Sequence, residues 1–131
     1  MRSFGDRIAK RGEDFLLRCN RAKASVGLEL YSQIVRGTPV DTGRARGNWL
    51  PSTVQPIYQT TYANVRSPEV GIREAKEEYT RATIDEDLIM QNNLPYIYRL
   101  EFDGWSRQAP GGWVRAAVGR FREIIRRAWN A

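Results

Sequence analysis

Thr38-Pro39-Val40-Asp41-Thr42-Gly43-Arg44-Ala45-Arg46-Gly47-Asn48-Trp49 is the stretch that divides this chain into a helical and a mixed part. Pro39 has no amide donor and pushes Thr38 toward extended backbone, so a helix arriving from the N-terminal side stops here. Asp41 is placed to accept from the amides that follow it in an Asx-type turn, and Gly43 supplies the positive φ that a Cβ resists. Beyond the turn the alternation of Arg44, Arg46 and Asn48 with Ala45, Gly47 and Trp49 predicts a strand over 44–50, basic on one face and small or aromatic on the other.

Upstream of this turn, Phe4, Ile8, Phe15, Cys19, Ala22, Val26, Leu30 and Ile34 recur at three, four or seven positions and predict a helix from about Phe4 to Val35. Gly12 and Gly27 interrupt the pattern, and a fresh start after Gly12 is an alternative because Glu13 and Asp14 suit a first turn. Unbroken, the helix runs roughly 45 to 50 Å, whereas a compact domain of this size measures about 35 to 40 Å across. Some of its apolar stripe therefore overhangs and needs another subunit to cover it.

Downstream, strands are expected over 52–58 and near 61–65, with Pro56 confined to an edge or a bulge. A polar helix follows over 70–82 with Ile72, Ala75 and Tyr79 on its thin apolar side, then a strand over 83–90. Pro95 opens a short helix with Tyr96, Ile97 and Leu100 turned inward, and Gly104 ends it. Behind Pro110-Gly111-Gly112 a C-terminal helix carries Val114, Ala117, Val118, Phe121, Ile124, Ile125 and Ala128 on one stripe. The reading is an α+β fold: a long N-terminal helix and a C-terminal helix packed on a small, mainly antiparallel β-sheet. One domain is expected over 1–131, with a helical segment at 1–37, the sheet with its inserted polar helix at 38–105, and a loop and helix at 106–131.

Composition bounds the chemistry. The chain has 131 residues, 41% of them hydrophobic, and no apolar run near the roughly 20 residues that cross a bilayer, so a soluble protein without a membrane partner is expected. Charges scattered through the first twenty positions leave no secretory h-region and point to synthesis in a cytoplasm. Cys19 is the lone cysteine, so no internal disulfide forms, and its apolar neighbours suit a buried, unreactive thiol. There is no histidine, which removes the commonest general base and the commonest transition-metal ligand. No catalytic residue, metal or cofactor is assigned. Asp85-Glu86-Asp87 is the one carboxylate run, and three successive strand residues cannot converge on one ion. A nuclease using Asp85 or Asp87 is the weakest reading.

The net charge of +6 is unevenly spread: ten basic residues face five acidic ones in 1–50, five face nine in 51–103, and six face one in 104–131. Opposed patches can draw copies together head to tail, or the acidic helix can match basic elements within the chain. Of 21 basic residues only Lys10, Lys23 and Lys76 are lysine, a bias toward the planar guanidinium that pairs carboxylate and phosphate alike. Candidate interface residues are Arg46, Trp105, Arg107, Gln108, Arg115, Arg122 and Arg126, while Trp49 and Trp113 belong to the core. Glu101 sits where a helix C-terminus disfavours a carboxylate, so an arginine partner is expected among Arg44, Arg46 and Arg107. No recognition helix, finger or phosphate loop is present, which limits any DNA contact to a non-specific one.

The Pro39-Val40-Asp41-Thr42-Gly43-Arg44 turn, followed in order by Asn92-Asn93-Leu94-Pro95-Tyr96, by Leu100-Glu101-Phe102-Asp103-Gly104-Trp105-Ser106 and by Gln108-Ala109-Pro110-Gly111-Gly112-Trp113-Val114-Arg115, resembles the tail-component family of tailed bacteriophages. That family includes neck and tail-completion proteins, and the resemblance runs from the middle of the first helix to near the C-terminus. One departure is Asp103, which stands between Phe102 and Gly104 where the family often has a single aromatic before glycine, so a different local turn is expected. The resemblance implies a structural virion protein of the head-tail junction, made in a bacterial host. It implies assembly into a ring, with six copies expected, between the head connector or stopper and the tail terminator or tail tube, and an axial opening through which DNA passes. A small basic nucleic-acid-binding protein is the alternative that the charge supports.

Overall fold

A computed structural model describes residues 3–131. The N-terminal helix α1 runs unbroken over Phe4–Gly37, about 51 Å at 1.5 Å per residue, so it does not restart at Gly12. Ser3 and Asp6 close its first turn reciprocally: the Asp6 amide donates to Ser3 Oγ at 3.1 Å and the Ser3 amide to Asp6 Oδ2 at 3.2 Å. It stops where Pro39 requires, with Thr38 extended at ψ 127° and its hydroxyl donating to the Ile34 carbonyl at 2.7 Å.

The expected strand over 44–50 is instead a helical turn, α2 (Arg44–Gly47), followed by β1 (Trp49–Thr53). Gly43, at φ 93°, turns the chain left-handed so that its carbonyl receives the Gly47 amide at 3.0 Å, and Asn48 Nδ2 donates back to the Arg44 carbonyl at 2.8 Å. The turn thus satisfies its own backbone and has no need of a strand partner. Strand β1 ends at Val54, which at φ 70° sits in the left-handed region that a β-branched residue adopts only under strain. Of the strand expected over 52–58 only Ser52 and Thr53 are strand, as the end of β1, and the remainder, like the stretch expected over 61–65, is irregular.

Helix α3 (Glu69–Thr80) matches the expected polar helix, with Ala75 and Tyr79 buried. Between it and β2 (Leu88–Asn92), residues 83–87 form a turn rather than strand, because Glu86 folds back to accept from the amide and hydroxyl of Thr83. β1 and β2 pair antiparallel, from Trp49 opposite Asn92 to Thr53 opposite Leu88, and make the whole sheet among the described residues. Helix α4 (Ile97–Phe102) follows Pro95. The expected C-terminal helix is two: α5 (Val114–Gly119) and α6 (Phe121–Asn130), offset at Arg120, whose Nε is held by Gln33 of α1 at 2.9 Å.

The fold is α+β and mostly helical. Its core has two parts joined by Trp49 and Met90. Tyr31, Val35, Ala75 and Tyr79 lock α1 to α3, and Ile34, Ala109, Trp113 and Ala117 lock α1 to the C-terminal loop and α5. Both tyrosines are satisfied, Tyr31 donating to the Trp49 carbonyl at 2.9 Å and Tyr79 to that of Ile89 at 2.7 Å, and burial pushes both phenols above their ordinary range. Gly27 leaves room for the Leu88 and Tyr79 side chains against α1, since a Cβ there would stand 2.5 Å from Leu88 Cδ1 and 3.2 Å from the Tyr79 ring.

Candidate interaction surfaces

The turn, the Asn-Asn-Leu-Pro-Tyr segment and the Gln-Ala-Pro-Gly-Gly loop come together at the end of the molecule where α1 stops. Gln108 ties the first to the last: its Oε1 accepts the Val40 amide at 2.9 Å and its Nε2 donates to the Val40 carbonyl at 2.8 Å. Asn92 Nδ2 donates to the Ala45 carbonyl at 2.9 Å and binds the second segment to α2. A cleft of about 410 Å³ remains between them, walled by Pro39, Asp41, Thr42, Gly43, Arg44 and Ala45 on one side and by Tyr96, Leu100 and Trp105 to Gln108 on the other. The side chain that caps the turn is Thr42, whose hydroxyl accepts the Arg44 amide at 3.3 Å; Asp41 is exposed and makes no side-chain hydrogen bond among the described residues.

Glu101 organises the neighbouring loop. Only 5% exposed, it accepts from the amides of Trp113, Val114 and Arg115 at 2.6, 2.7 and 3.2 Å, and from Arg115 Nε at 2.7 Å. One carboxylate therefore caps the start of α5 and pairs with an arginine in that helix's first turn. The expected arginine partner is present, but it is Arg115 rather than Arg44, Arg46 or Arg107. A cation in the first turn of a helix is as ill-placed against the dipole as a carboxylate at the end of one, and the two offset each other; that was the available signal. Gly112, at φ 83°, is obligatory here, because a Cβ would lie 2.5 Å from the Glu101 carbonyl oxygen. Burial raises the Glu101 pKa, but the Arg115 and amide hydrogen bonds outweigh it and hold the carboxyl below its usual range.

Arg46 does not present itself to a partner. Its guanidinium donates to the carbonyls of Val35 at 3.0 Å, Arg36 at 3.0 Å, Thr38 at 3.3 Å and also Arg66, and so caps the C-terminus of α1. Asn48, fully buried, and Asn93 were not foreseen as clamps, yet they fix the irregular segment: Asn48 exchanges hydrogen bonds with Thr61 at 2.8 and 2.9 Å, and Asn93 donates to the carbonyls of Ile57 and Gln59. Gly104 ends α4 at φ 65°, after an Asp103 amide that donates to the Arg99 carbonyl at 3.0 Å. Trp105 is exposed with Arg99 stacked on it, 4.7 Å from the ring centre, and Arg107, Arg122 and Arg126 are exposed.

A second surface lies along α1, β2 and α6. Helix α1 packs on α6, with Phe15 edge-on to Trp129 at 6.0 Å, yet the three elements still border an open groove of about 760 Å³, which holds Cys19 in its wall, half-buried rather than sealed in a core. Beyond it the N-terminal turns of α1 stand clear of the rest of the chain. Among the described residues no helix is long and apolar enough to cross a membrane, and no cluster of three carboxylates or thiols is placed to hold a metal. Comparison with protein-family models, curated proteins and solved structures finds no match to this chain.

Proposed function

We propose that this protein is a structural virion component of the phage head-tail junction, a neck or tail-completion subunit that closes into a ring, expected to be hexameric, between connector and tail. The resemblance of the clustered segments supplies the identity of the particle. The observation that carries the structural role is the uncovered apolar surface of α1 and α6: Phe4 is 70% and Ile8 55% exposed, and Phe121 and Ile125 are 43% and 42% exposed. A monomer rarely leaves so long a stripe in water, and association with other subunits removes that cost. In this reading the protein performs no reaction; it joins parts and leaves an axial path for DNA.

The test is an infection in which this protein is missing. Filled heads and finished tails should accumulate unjoined, and purified protein added to the extract should restore virions. Normal virions, or a defect confined to DNA replication, would defeat the proposal. The exposed arginines Arg107, Arg122 and Arg126 favour a second reading, non-specific nucleic-acid binding. That reading gains if affinity for duplex DNA falls steeply with salt while the protein ignores heads and tails.

A further inference from the structure

The groove and the projecting end of α1 fit one another. Val26 and Leu30 of α1, Leu88 and Met90 of β2, and Phe121 and Ile125 of α6 make its apolar lining. Asp87 stands at its edge, Asp85 lies two residues away in the same exposed turn, and Lys23, also in the lining, donates to the Ile84 and Glu86 carbonyls, so that Asp85, Glu86 and Asp87 outnumber one ammonium there. The projecting segment, residues 4–14, carries Phe4 and Ile8 one turn apart on one face. By helical geometry Arg7 and Arg11 flank that face on one side, and Gly5, Ala9 and Gly12 lie toward the other. A Cβ on Gly12 would meet nothing within 4 Å. Among the described residues nothing therefore accounts for a residue that weakens a helix interior relative to alanine; close approach of a second backbone would.

A copy cannot fill its own groove. The segment and the groove lie on one continuous helix, their centres about 25 Å apart, with no hinge between them. We infer that the occupant is a second copy of this chain: Phe4 and Ile8 of one subunit enter the groove of the next, Arg7 and Arg11 face its Asp85 and Asp87, and the glycine side rests against its α6. This deepens the assembly proposed above, on which it rests, by naming the two surfaces that meet. They differ, so the contact is heterologous and repeats from copy to copy until a ring closes.

Sedimentation velocity decides the matter. The wild type should form oligomers, whereas a Phe4→Glu/Ile8→Glu variant, which keeps its groove, and an Ile125→Glu variant, which keeps its projection, should each be monomeric, with association weakened at least about tenfold. Mixed in equal amounts, the two variants should form a heterodimer and nothing larger, since one intact junction remains. Should Ile125→Glu lose its thermal transition, exposed Asp87→Arg replaces it, and an Arg7→Asp/Arg11→Asp partner should rescue that variant. Variants that assemble like the wild type, or a mixture that stays monomeric, overturn this contact and leave a ring built through other surfaces. A monomeric wild type also overturns it; if that protein binds neither heads nor tails, the junction assignment falls as well.

Discussion

Glu101 shows how much one residue controls at the clustered end of the molecule. It satisfies three amides that a helix start would otherwise leave to water, and it neutralises Arg115, so the loop after α4 and the start of α5 depend on its charge. Glu101→Ala should destabilise the protein by about 2 kcal/mol, because it leaves the amides at the start of α5 without their acceptor while the freed Arg115 turns to water, and Glu101→Gln by less, read from urea denaturation at pH 7. The pH dependence has a definite sign. A carboxyl held below its ordinary 4.5 stabilises the fold fully above that value and ceases to as pH falls through the lower folded-state pKa. Wild type should thus lose stability relative to Glu101→Gln only below about pH 4.5, and the difference should be flat from there to neutrality; a gap that persists unchanged to the acid limit would contradict this account.

At the scale of elements, two departures from the sequence pattern share a feature. The period-two alternation over 44–50 is compatible with a strand, but Gly43 and Asn48 close the turn locally and the pattern becomes a helical one. The apolar run after Val114 reads as one helix, but Arg120 is anchored to Gln33, an acceptor 87 residues away. In both places a side-chain hydrogen bond accompanies the departure, and at the second Gly119 stands directly before the break. The helix α1 shows the opposite case at its end, where local pattern and stop signal agree; its start, open in the pattern between Phe4 and Gly12, is fixed by the Ser3–Asp6 box. Its Gly12 gives a test in which stability and assembly move apart. Gly12→Ala should raise the melting temperature of the monomer, by the equivalent of up to about 1 kcal/mol, yet weaken self-association, because the methyl group occupies space that a neighbour's backbone needs. An equal gain in both would remove the close approach.

Across the whole molecule, charge and apolar surface are segregated rather than matched. Between the acidic middle and the basic flanks, the ion pairs among the described residues are Arg36 with Glu69 at 2.9 Å and Arg115 with Glu101 at 2.7 Å. Four more pairs among these residues, Lys10 with Asp14, Arg81 with Glu78, Arg126 with Glu123 and Arg127 with Glu29, lie within the middle or the flanks, and the exposed charges outside these pairs can guide subunits together. Cys19 reports on the outcome, because it borders the groove. Its labelling by a maleimide should slow as protein concentration rises through the association range, and should stay fast in Phe4→Glu/Ile8→Glu at every concentration. The sequence by itself determined the helix α1 and its end at Pro39, the polar helix α3, the mixed class of the fold, and Glu101's need for an arginine, because each rests on local periodicity, a missing amide hydrogen or a dipole. Tertiary structure alone decided that Arg115 answers Glu101, that Arg46 caps α1, that the sheet stops at two strands, and that an apolar groove lies open between α1 and α6. Those outcomes depend on which distant groups meet, and one-dimensional spacing does not encode distance in space.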